Sequence, residues 1–134
     1  MKIKVSKMLM VLALGMMIAA PLSWAKETAY NYIIAYSYRE KAVYYTPIFT
    51  MQVSGESANK DEYVNDTSTN FKMESAFQSH LQKSMKINPP DLTVSARTCY
   101  KTEEIAKQRM EAEVGDFRFK GFELKEVPGF KYSD

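Results

Sequence analysis

The sequence predicts an α+β fold: a four-stranded mixed sheet in the order β-β-α-β-α-β, with two helices packed on one face. Three observations carry this. Two tyrosine-laden, β-rich runs stand in tandem between Tyr30 and Val53. Two later segments space their apolar residues as helices do. Strand-like stretches lie between and after those segments.

Tyr30 to Tyr38 alternates, with Tyr30, Tyr32, Ile34, Tyr36 and Tyr38 on one face and Ile33 and Ala35 on the other. Arg39-Glu-Lys-Ala42 is a polar break, and Val43 to Val53 resumes the β pattern, so the pair reads as an antiparallel hairpin. Pro47 has no N–H to give to a ladder, which predicts an edge or a bulge there. Ser54 to Asn70 is polar and reads as the longest loop.

Asn70 to Lys86 reads as a helix, with Met73, Phe77, Leu81 and Met85 along one stripe. Ser68, Thr69 and Asn70 are competent caps before it, and Pro89-Pro90 stops the chain after it. Leu92 to Tyr100 alternates as a strand. Thr102 caps a second helix, Glu103 and Glu104 favour its positive end, and Ile105, Ala106, Met110 and Val114 form its stripe. Gly115 is a natural terminator for that helix. A last strand is then expected from Phe117 to Val127, with a bulge at Gly121 where the face of its aromatic residues switches.

The stretch Val94 to Val127, with its Thr102-Glu-Glu-Ile-Ala-Lys-Gln-Arg109 helix between strands, resembles one half of a SPOR-type peptidoglycan-binding repeat. The preceding half is a hairpin rather than the second repeat, so no family is assigned on it and no residue role is carried over.

The first 25 residues have the layout of a secretory signal peptide. Lys2, Lys4 and Lys7 make a basic start, Met8 to Ala20 carries no charge, and Ser23-Trp24-Ala25 places small residues before Lys26. Thirteen apolar residues span about 20 Å as a helix, short of a bilayer's roughly 30 Å core. The reading is therefore a leader at 1–25, cleaved after Ala25, and one small domain at 26–134. It implies a periplasmic or secreted protein with no stable membrane anchor after cleavage. The 134 residues contain 18 basic and 16 acidic side chains, and losing the three leader lysines leaves 15 against 16. Such a chain lacks the cations that nucleic-acid binding requires.

Cys99 and His80 are the only cysteine and histidine, too few for a structural zinc site, and no oxygen-ligand calcium loop is present, so no metal and no cofactor are expected. The single thiol cannot make an internal disulfide and reads as buried and inert. A small hydrolase or thiol enzyme on Cys99 and His80 is a remote alternative, and no catalytic residue is assigned. Glu103, Glu104, Glu111 and Glu113 fall on the solvent side of the second helix in this reading. Six of the nine tyrosines lie in the hairpin. Tyr30, Tyr32, Tyr36 and Tyr38 are therefore the candidate binding residues, read as facing outward from the uncovered side of the sheet. The expectation is a non-enzymatic binding protein of the bacterial envelope, its partner another envelope or secreted protein. The alternative is a cell-wall glycan held on the tyrosine face.

Overall fold

One long strand organises the chain. β1 (Lys26–Ser37) alternates side chains so consistently that Ile33 and Ile34, neighbours pointing opposite ways, are both fully buried. A single covered face could not bury both, so the sheet is covered on two sides. The computed structural model describes residues 26–54, 61–63 and 67–133. Residues 1–25, where a leader is expected, and most of the polar segment after β3 lie outside the described residues.

The order is β1, β2 (Ala42–Tyr45), β3 (Phe49–Ser54), α1 (Thr67–Ser79), β4 (Thr93–Tyr100), α2 (Glu103–Phe119) and β5 (Glu123–Glu126). α1 runs on as a wider π-type turn over His80–Ser84, and Lys86 ends it in the left-handed region at φ 57°. The fold is α+β, with an open mixed sheet and two helices. β1 is antiparallel to β2, β3 and β4, and β5 joins β2 in parallel.

β2 and β3 lie end to end along one side of β1, interrupted at Thr46–Ile48. Ile34 pairs with Tyr45 and Asn31 with Phe49, so three residues oppose two, a bulge at Pro47. The missing N–H is offset locally. Thr46 N–H donates to the Ile33 carbonyl at 3.0 Å, and Thr46 Oγ1 accepts from Ile33 N–H at 3.0 Å.

The expectation of both helices on one face is corrected. Ile33, Ala35, Ala42, Tyr44 and Ala96 pack against Met73, Phe77 and Leu81 of the first helix. Ile34 and Val43 pack against Val114 and Phe117 of α2, on the other side. The cause is topological. β3, β4 and β5 run parallel, and both helices are crossovers between them. The first crossover passes over β1 in one direction, and the second returns over β1 and β2 in the other. Two crossovers of one hand that travel in opposite directions must use opposite faces.

The end of α2 is also corrected. Gly115 does not stop the helix, because Phe117 continues the apolar stripe and is buried. The chain turns at Lys120 and Gly121, where Gly121 takes φ 89°, and β5 begins only at Glu123. Thr102 does cap the helix, its Oγ1 accepting from Ile105 N–H at 3.1 Å.

Candidate functional site

α2 covers the tyrosine face, which corrects the expectation that it points outward. Tyr32 is 1 % exposed. Tyr30 and Tyr36 are half-buried, and the Tyr36 ring lies 5.1 Å from that of Phe117. Tyr38 is 56 % exposed and packs its edge on Phe122 at 5.1 Å. The four phenols therefore do not form one open platform. Tyr36 and Tyr38 belong to an aromatic cluster with Phe117 and Phe122, and Tyr38 is its wet rim.

The opposite face is not open either. Asn31 and Ser37 are buried and satisfied. Asn31 Nδ2 donates to the Phe49 carbonyl at 3.2 Å, and its Oδ1 accepts from Cys99 N–H at 2.8 Å. The Ser37 hydroxyl donates to Asp91 at 2.6 Å.

A polar cluster that the helical spacing hid sits under α2. Tyr32 OH donates to Glu113 Oε1 at 2.8 Å. Arg97 grips both oxygens of Glu113, with a shortest contact of 2.9 Å, and reaches Ser95 Oγ at 2.7 Å. Tyr100 stacks nearly parallel on Tyr32, with ring centres 6.3 Å apart. Burial and the Glu113 bond push the Tyr32 phenol well above its ordinary pKa, while the Glu113 bond raises that of Arg97. Glu113 thus faces inward, against the expectation of a solvated carboxylate. The signal was its place on the Ala106, Met110, Phe117 stripe. The Tyr32 hydroxyl, both Glu113 oxygens and the Arg97 guanidinium are engaged with one another, so the arrangement ties α2 to the sheet.

Cys99 and His80 are not brought into contact by any interaction among the described residues. Cys99 is buried at a bulge where it and Thr98 oppose Asn31, with φ 69°. His80 lies on the far end of the first helix, its ring 5.4 Å from that of Phe130. Burial raises the Cys99 thiol pKa, the wrong direction for a nucleophile. Among the described residues, no group of three His, Cys, Asp or Glu is placed to hold a metal. No described helix is long and apolar enough to cross a membrane.

The sheet's edges differ sharply. β5 carries Glu123, Lys125 and Glu126 along its exposed edge. On β4, the Ala96 N–H is taken by Glu74 Oε2 of α1 at 3.0 Å. Charge and a capping carboxylate are ordinary ways to guard a strand edge. β3 reads Phe-Thr-Met-Gln-Val-Ser, without one charged residue, and among the described residues pairs only with β1. The Thr46–Ile33 bonds show that odd positions of β1 turn their backbone toward β2 and β3. Their partners Phe49, Met51 and Val53 bond inward, so alternation turns the backbone of Thr50 and Gln52 outward.

Two hollows of about 360 Å³ each run along this edge. The segment after β5 lines both, and Thr50 and Tyr132 border each. Pro47, Phe49 and Phe130 make the first apolar, with Lys131 at its rim, and Lys26 and Gln52 border the second. Neither is lined by a carboxylate among the described residues. Compared with known proteins, no family, no curated protein and no solved structure matches this chain.

Proposed function

We propose that the chain is a small exported protein of the bacterial envelope that works by binding another protein and not by turning over a substrate. One observation supports this above the rest: the outward backbone of Thr50 and Gln52 has no strand partner among the described residues, at an edge without charge, while β4 and β5 are guarded. An unguarded edge is a template for a further strand, and strand addition is a common mode of protein recognition. The glycan alternative draws less support, because α2 covers the tyrosine face and leaves Tyr38 as its one exposed ring.

Site-specific photo-crosslinking in the periplasm tests the proposal. A photoreactive residue at position 52 should yield a discrete protein adduct that the same residue at Lys107, exposed on α2, does not. Equal or absent adducts at both positions would remove the support. Retention on isolated sacculi, lost with Tyr38→Ala, would move the function to the glycan alternative.

A further inference from the structure

We propose that the β3 edge takes an extended acidic peptide as an added strand, held between β3 and the segment Phe130–Ser133. This rests on the reading of β3 as the interaction edge and names the ligand's class. Three features specify it. Thr50 and Gln52 turn backbone donors and acceptors outward, so main-chain pairing supplies the attachment. The apolar hollow between Pro47, Phe49 and Phe130 lies on the edge where one alternate side chain of an added strand projects. Lys26 and Lys131, both exposed, rim the two hollows with no described carboxylate among the lining residues, so an acidic strand complements the site and a basic one is repelled.

A second copy of the chain fits less well. Self-pairing needs two flat edges to meet, but the segment after β5 lines both hollows together with Thr50, so two edges that each carry it do not close flat. A single peptide strand needs no such flat approach. The edge also limits the ligand's length. β3 is six residues long, so about 20 Å of extended chain can pair along it.

Fluorescence anisotropy with a labelled eight-residue peptide alternating Glu with Val and Phe tests this on the exported protein. Binding is expected, and the same peptide with Lys in place of Glu should bind at least about tenfold more weakly. Gln52→Pro deletes an outward N–H without touching the β1 ladder, and should weaken the acidic peptide by about tenfold. Lys131→Glu, at an exposed position, should do the same without a change in melting temperature. If Gln52→Pro unfolds the chain, Thr50→Glu, also at an exposed position, guards the edge and repels an acidic strand instead. No binding by either peptide, or binding indifferent to Gln52→Pro, Thr50→Glu and Lys131→Glu, overturns the proposal. A dimer abolished by Thr50→Glu also overturns it, since the occupant would then be a second copy. In that case, or when position 52 crosslinks a partner that the acidic peptide does not displace, the edge reading survives and only the ligand class fails.

Discussion

The Tyr32 hydroxyl donates to Glu113 at 2.8 Å, joining the central strand to the second helix across 81 positions of chain. Glu113 also receives Arg97 from β4, so one carboxylate holds two strands and a helix. Its side chain is 24 % exposed and that of Arg97 39 %, so solvent screens the pair in part. The phenol is fully sheltered and would be left facing an unpaired site.

Glu113→Ala is therefore expected to destabilise the fold by about 1.5–3 kcal/mol, the range for losing hydrogen bonds to a charged group. Glu111→Ala, two positions away and exposed, should stay within about 0.5 kcal/mol. Urea denaturation of the two variants checks this. Equal midpoints for both would show that the cluster adds nothing to stability.

Two glycines, one inside α2 and one just past its end, predict changes of opposite sign. At Gly115, inside the helix, a Cβ would meet nothing within 4 Å. Gly115→Ala should stabilise by about 0.5–1 kcal/mol by removing a flexible residue from a helix interior. Gly121 holds φ 89°, where an L side chain is strained, so Gly121→Ala should destabilise by about 1–2 kcal/mol. Thermal melts that move in the same direction would contradict the helix end at Lys120.

What was legible in the sequence was local. Pro47 announced its bulge because a missing N–H must break a ladder, and Thr102 announced its cap because hydroxyls satisfy the first turn. Gly115 misled because a glycine can end a helix or sit within one. Phe117, three residues past Val114 on the stripe, was the sign that the helix continues. The placement of helices on two faces was not local. It depends on β4 and β5 lying on opposite sides of β1, which no residue pattern states. The outward reading of the tyrosine face rests on the helices covering one side of the sheet, above Ile33 and Ala35, and fails because α2 covers the other side. The guarded and unguarded edges could be compared only once the strand order was known.

The proposed export would remove residues 1–25, so protein recovered from the periplasm should have an intact mass that starts at Lys26. A form beginning at Met1 and held in the inner membrane would contradict the proposed location.

Cys99 is 2 % exposed, and burial raises its thiol pKa, so little thiolate is available at neutral pH. Alkylation of the native protein should be slow and become rapid on adding denaturant. Cys99→Ser should cost about 1–3 kcal/mol, the range for a buried hydroxyl lacking a good partner. Fast native labelling, or a dimer on a non-reducing gel that the variant lacks, would show an accessible thiol.

Asp91 gives the hairpin turn a pH dependence with a definite sign. The Ser37 hydroxyl at 2.6 Å, and next the Arg39 N–H at 3.0 Å, favour its charged form and lower its pKa in the folded protein. The unfolded value is about 3.9. A carboxyl whose folded pKa lies below its unfolded pKa adds stability that is fully present above the unfolded value. That stability is lost as pH falls through the folded value. Asp91→Asn keeps an acceptor for Ser37 but removes the charge, so its deficit relative to the native chain should be largest near neutral pH. The deficit should shrink below about pH 4 and vanish once both carboxyl states are protonated. Urea midpoints measured at several pH values decide it. A deficit that stays constant, or grows as the solution is acidified, would mean that the carboxylate's charge does not hold the turn.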